Sequence, residues 1–199
     1  MTSRTTSPVG LADQDFPPGL HICMIYNSED ERHEIIEKFL KNGIDKGEKV
    51  AYIVEEIAPE AFCSWLAEKG LAGEVGQGPL QVDSARSTYY PSGRFDPDAM
   101  LARLQSFYRA ALDADYSGCR VMGEMSWAAE GQLPGTDRLM EYESRVNLLV
   151  ADHPLSAICQ YDANRFDGAT IFQCLKVHPY MIVHGQVVHN PFYRESASV

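Results

Sequence analysis

A chain of 199 residues is long enough to bury a core of its own, and its length suits one domain. Hydrophobic residues make up 45% and charged residues 23%, while a formal net charge of -11 argues against general binding of polyanions, nucleic acid included. Five dispersed cysteines (Cys23, Cys63, Cys119, Cys159 and Cys174) read as reduced thiols rather than a disulfide framework. With no apolar leader-like stretch and no run long enough to cross a bilayer, the expectation is a cytoplasmic protein that stays off membranes.

Residues 1–19, rich in Ser, Thr, Pro and Asp, predict a flexible N-terminal arm. "LHICMIY" then reads as a strand from Leu20 to Tyr26, followed by a turn at "NSEDE" where Asn27 or Ser28 caps a helix. In that helix Ile35, Ile36, Phe39, Leu40 and Ile44 recur at helical spacing and face a sheet. Gly43, Gly47 and "DKGEK" close it, and Val50 to Glu55 forms a nearly all-apolar strand, as expected where helices cover both faces of a parallel sheet. After Pro59 comes a short helix with Phe62, Trp65 and Leu66 inward, then a glycine-rich return to a strand at Leu80 to Asp83.

"RSTYYPSGRFDPDAM" is mostly loop, and Asp96 with Pro97 starts a helix that runs to about Ala114. Met100, Leu101, Leu104, Phe107, Tyr108 and Leu112 mark its buried side. Cys119 to Met125 is a further strand. The helix "TDRLMEYESRVNLLVAD" presents Leu139, Tyr142, Val146, Leu149 and Val150, and "LSAICQYD" is a strand beyond it. Ala169 to Lys176 reads as a short helix, although "IFQCL" would also suit a strand, and the C-terminal "HPYMIVHGQVVHNPFY" makes one or two strands with a turn at Gly185. Alternating strands and helices predict a single α/β domain over residues 20–194, with 195–199 a short tail.

A Walker A loop holds phosphate with backbone donors from glycines and with a lysine. The turn "NSEDERH" has neither glycine nor lysine, and its successive carboxylates would repel a triphosphate. Even so, "FLKNGIDKGEKVAYIVEE" resembles the helix and second strand of the RecA/KaiC-like ATPases, and "VMGEM" resembles their acidic strand end, with Glu124 at the position of a carboxylate near the nucleotide. The wider resemblance is to the MEDS family, the sensory domain of methanogens, methylotrophs and the DcmR regulator. It rests on "HICMIY", "FLKNGIDKGEKVAYIVEE", "YYPSGRFDPDAM", "GEMSWA", "YESRVN", "ICQYD" and "HPYMIVHGQVVHNPFY", in one order from about Gly19 to Tyr193. The resemblance implies a three-layer α/β/α RecA/KaiC-like domain with a mostly parallel central sheet. It also implies a non-catalytic role in signalling or transcription with a degenerate phosphate loop. Without room for a helix-turn-helix module, output is expected through a partner or through oligomerisation.

Ligands of open α/β sheets sit beyond the carboxyl ends of the strands. On that basis His21, Glu124, Tyr142 and Glu143 are the candidate polar ligand-binding residues, with Tyr90 and Trp127 as an apolar wall. The competing reading makes Trp127 and Tyr142 ordinary core or rim packing residues and pairs Glu143 with Arg145 or another surface cation. His21, Cys23, His178, His184 and His189 are weak candidates for a metal, because none has the close spacing of a zinc finger. The ring of His178, before Pro179, instead reads as a cap on a backbone group. No metal and no cofactor are expected. Three functions follow: a sensor of a small, weakly polar organic molecule; an adaptor regulating a histidine kinase or transcription regulator without a small ligand; or a degenerate nucleotide-binding protein holding phosphate near Asn27 to Arg32. Homodimerisation is expected of a RecA-like scaffold.

Overall fold

A computed structural model describes residues 11, 16–17 and 19–195, so the expected arm and tail fall mostly outside the described residues. The first elements are strand β1 (His21–Tyr26), helix α1 (Glu29–Asp45), strand β2 (Lys49–Val54), helix α2 (Pro59–Glu68) and strand β3 (Leu80–Ser84). There follow the short helix α3 (Ala85–Thr88), helix α4 (Pro97–Asp113), strand β4 (Cys119–Glu124), helix α5 (Leu139–Ala151), strand β5 (Leu155–Asp162), helix α6 (Gly168–Val177) and strands β6 (Tyr180–Val183) and β7 (Gln186–His189). One sheet takes the order β3-β2-β4-β5-β1-β6-β7, parallel throughout except for the antiparallel β6–β7 hairpin. His184 and Gly185 turn that hairpin with φ of 49° and 71°, the pair of positive values that a tight two-residue loop requires.

The central strands β1, β2, β4 and β5 are buried on both faces, and their period of two divides the core. Ile22, Met24, Tyr52, Val54, Met122 and Ile158 pack with Ile36, Phe39, Leu40 and Leu66 of α1 and α2. Ile53, Val121, Ala157, Cys159 and Tyr161 pack on the other face with residues of α4, α5 and α6, among them Leu104, Tyr142, Val146 and Cys174. The result is the three-layer architecture expected from the sequence. The segment of ambiguous periodicity at "IFQCL" is helical, its start fixed by Asp167, whose side chain accepts from the Thr170 amide.

Several local expectations are corrected. Ser28 is the N-cap of α1, but its side chain makes no capping bond. The expected loop after β3 contains α3, and Leu112 is 42% exposed while Ala111 takes its place in the core. Gly43 lies inside α1 rather than ending it: a Cβ there would stand 2.8 Å from Cδ of the buried Arg120, whose guanidinium donates to Phe39 O, Asn42 Oδ1 and Glu48. Leu11 and Phe16, from the region expected as an arm, are buried; Leu11 O accepts from the Val187 amide and Phe16 meets Tyr180 edge-on.

Gly123 makes room for Tyr89, whose hydroxyl would stand 2.1 Å from an added Cβ. Gly123→Ala should therefore push the buried Tyr89 ring and cost about 1–3 kcal/mol, as overpacking does. Urea denaturation followed by far-UV circular dichroism checks this, with a loss in midpoint and an unchanged slope as the expected result.

Candidate functional site

Where a phosphate loop would lie, the β1–α1 turn leads into Glu29, Asp30 and Glu31, and the next residue, Arg32, folds inward. Its guanidinium donates to Glu29 at 2.9 Å and to Oε1 of Glu124, at the end of β4, at 3.0 Å. The same oxygen accepts from the Tyr52 hydroxyl at 3.0 Å, while Oε2 accepts from the backbone amides of Glu55 at 2.7 Å and Glu56 at 2.9 Å. Gln160 donates in turn to the Tyr52 oxygen at 3.1 Å. Burial, then the Glu124 charge, pushes the Tyr52 hydroxyl well above its ordinary range, so it remains a donor. Glu124 is thus saturated by four donors, and Arg32 is neutralised before any anion arrives.

A second buried carboxylate lies between the sheet and the α5–α6 layer. Glu143 Oε1 accepts from the Tyr161 hydroxyl at 2.6 Å. Its Oε2 is 3.1 Å from His21 Nε2, 3.3 Å from Cys159 Sγ and 3.6 Å from His178 Nε2. Cys159 Sγ is also 3.5 Å from His21 Nε2, and the two imidazoles lie 4.1 Å apart. These four donor atoms are all within 4.8 Å of one another, and all four residues are buried. They come from β1, α5, β5 and the residue that ends α6.

Both ring orientations are anchored from behind. His21 Nδ1 stands 2.9 Å from Asn147 Oδ1, and Asn147 is oriented by donating to Val177 O at 2.7 Å. His178 Nδ1 is 2.8 Å from the carbonyl of Cys174, which can only accept. Each Nδ1 therefore carries the hydrogen, and each Nε2 is turned toward Glu143. Burial, then the neighbouring His178, lowers the pKa of His21 and favours its neutral form. Burial, then Glu143, raises the Cys159 thiol well above its usual value.

A cleft of about 370 Å³ opens at the carboxyl end of the sheet, lined by Glu55, Ser126, Trp127, Glu130, Gln132, Leu133, Pro134 and Arg165. Trp127 stacks on Tyr89 at 5.0 Å and packs on Phe95 at 4.9 Å, and Phe95 meets Tyr142 edge-on at 5.5 Å. Tyr90 lies 5.8 Å from Trp127, and its hydroxyl donates to Glu55 at 3.2 Å.

Residues 20–179 match the family described as the MEthanogen/methylotroph, DcmR Sensory domain. The chain belongs to the MEDS family. Among curated proteins, this MEDS domain is similar to the transcriptional repressor DcmR of Methylorubrum extorquens, at 22% identity over 191 residues. The match takes in 88% of this chain but only 64% of the repressor's length. Among solved structures it is similar to the KaiC-like protein PH0186 of Pyrococcus horikoshii OT3, with a TM-score of 0.58 and 13% identity over 89% of this chain and 79% of that one. The flagellar accessory protein FlaH of Methanocaldococcus jannaschii gives a TM-score of 0.52 and 12% identity, covering 85% and 75% of the two chains. These likenesses show a RecA/KaiC-like fold. By family the chain is a sensory domain, and its turn between β1 and α1 lacks the Walker A glycines and lysine.

Within the MEDS domain the six expected ligand-binding residues divide into three groups. His21 and Glu143 share the buried cluster, Tyr90, Trp127 and Tyr142 belong to the aromatic stack beside the cleft, and Glu124 anchors its own network. Of the metal candidates, His21 and His178 converge, whereas Cys23, His184 and His189 are outside the four-residue group. Glu143 does not pair with Arg145, which bonds Asp98 and Glu141 instead. The His178 ring does cap a backbone carbonyl, that of Cys174. Cys23 and Cys119 are unsuited to act as nucleophiles, because burial pushes each thiol up to about 12.

Sequence reasoning missed Cys159, Asn147, Tyr161 and Arg32. Arg32 left a signal, being the lone cation beside three carboxylates in a turn. None of the described helices of the MEDS domain is long and apolar enough to cross a membrane. Removing the central carboxylate with Glu124→Ala leaves Arg32 charged and buried and orphans two amides, so it should cost about 3–5 kcal/mol. Tyr52→Phe, which removes one bond, should cost about 1 kcal/mol. Urea midpoints of the two variants, measured side by side, test that ranking.

Proposed function

We propose that this MEDS domain receives a small, weakly polar organic molecule in the cleft at the carboxyl end of its sheet and passes the bound state to a protein partner or a second copy of itself in the cytoplasm. The observation that carries this reading is the position of Trp127, which lines the cleft and also packs into the aromatic stack leading to α5. A volume of about 370 Å³ lies in the range of small-molecule sites, and its lining mixes apolar surface with Glu55, Gln132 and Arg165. Trp127 contributes a buried indole N–H that has no acceptor among the described residues.

In this reading Tyr90 and Trp127 meet the ligand. Glu124 sets the cleft wall by holding the backbone of Glu55 and Glu56, while Tyr142 and the adjacent Glu143, with His21, take up any displacement of the stack. A ligand shifts the state of the domain only by binding one arrangement better than another, so displacement of Trp127 is the required event. The likeness to a transcriptional repressor supports a transcription regulator as recipient, with a histidine kinase as the other class. The chain's acidity suits a basic partner surface.

Trp65→Phe leaves Trp127 as the sole tryptophan, so its emission can be followed during titration with short alcohols, ketones and halogenated hydrocarbons. A saturable change for one compound class, lost on Gln132→Ala or Arg165→Ala, is the expected outcome. No change with any class, in a protein that still captures a regulator, would replace the sensor reading with the adaptor.

A further inference from the structure

His21 and Glu143 present an electrostatic problem that their hydrogen bonds do not solve. With Nδ1 of His21 committed to Asn147, a neutral ring directs the lone pair of Nε2 at Glu143 Oε2, 3.1 Å away. His178 Nε2 is buried and has no hydrogen-bond partner among the described residues. One proton shared by His21 and Glu143 would leave His178 unsatisfied. Protonating both rings would place two cations, 4.1 Å apart, against one carboxylate in a fully buried site, which is costly. A dication solves both problems, since one carboxylate and one thiolate neutralise it while two neutral imidazoles complete its ligands.

We propose that His21 Nε2, His178 Nε2, the Glu143 carboxylate and Cys159 Sγ hold one divalent, borderline-soft cation, with zinc the ion that matches this donor set. Tetrahedral zinc, with bonds of about 2.0–2.3 Å, spaces its donors about 3.3–3.6 Å apart. Of the six separations, four are 3.1 Å, 3.3 Å, 3.5 Å and 3.6 Å, and the other two lie within 4.8 Å. Binding would release the Cys159 proton to solvent, leaving the thiolate as ligand.

The surroundings have the form of an outer shell that orients metal ligands. Asn147 and the Cys174 carbonyl fix the histidine rings, and Tyr161 holds Oε1 of Glu143 while Oε2 stays with the cluster. Asn190 donates to the carbonyls of His178 and Leu175, at 2.8 Å and 2.6 Å, and so positions the residue that brings the second imidazole. Four protein ligands leave no open position, so the ion would lock β1, β5, α5 and α6 together instead of doing chemistry. None of the four residues lines the cleft, so metal retention is read separately from ligand binding there.

The test is to unfold the purified chain in denaturant with a chelator, refold it with Zn²⁺ or Co²⁺, and measure retained metal after gel filtration. The expected result is a single equivalent of cobalt with the intense visible bands of a four-coordinate ion and a thiolate-to-cobalt charge-transfer band. That band should be lost in Cys159→Ser and kept in Cys23→Ser, whose thiol is buried on the same strand as His21. Should Cys159→Ser fail to fold, X-ray absorption at the metal edge of the wild-type protein must show one sulfur and three nitrogen or oxygen neighbours. A refolded wild-type chain that retains neither metal, a charge-transfer band that survives Cys159→Ser, or a metal shell without sulfur would overturn the proposal.

Discussion

A carboxylate taken out of water has to be paired, or its burial undoes the fold around it. Two such groups organise this domain. Glu124 gathers Arg32 from α1, Tyr52 from β2 and the backbone that follows β2, tying one helical layer to the carboxyl end of the sheet. Glu143 does the same on the opposite face, where His21, Cys159, Tyr161 and His178 come from elements far apart in sequence. The apolar residues supply the driving force for the three layers, but these polar centres demand one register and one helix rotation.

Seen this way, the loss of the phosphate loop is a replacement. A RecA/KaiC-like turn that would offer backbone donors to a polyphosphate here offers carboxylates, and its single cation is turned inward onto Glu124. Glu124, the acidic residue at the end of β4, anchors that internal ion pair. The carboxyl end of the sheet is still concave, but the cleft lies to the side of that turn, over Trp127.

Much of this was legible in the sequence. The apolar run of β2 announced a sheet covered on both faces, and the helical stripe of α1 announced its buried side. Pairing Asp96 with Pro97 located the start of α4, where the Asp96 side chain accepts from the Asp98 amide. The ambiguous "IFQCL" became a helix because Asp167 caps it and the chain must cross back over the sheet to reach β6. The convergence of His21, Glu143, Cys159 and His178 was not legible, since no two of them share a local motif. It depends on β1 and β5 running parallel with Cys23 beside Cys159, a pairing set by tertiary packing and invisible to periodicity. Glu143 was a candidate from its family motif and was grouped there with His21, its partner in the structure; the competing pairing with Arg145 followed proximity in sequence alone.

The central claim is that an internal ion pair has taken the place of bound phosphate, and titration of the folded protein with magnesium-ATP by calorimetry tests it most directly. No saturable heat is expected at nucleotide concentrations into the millimolar range, with or without Arg32→Gln. Saturable binding that Arg32→Gln abolishes would show Arg32 releasing Glu124 to meet phosphate, and would contradict the account.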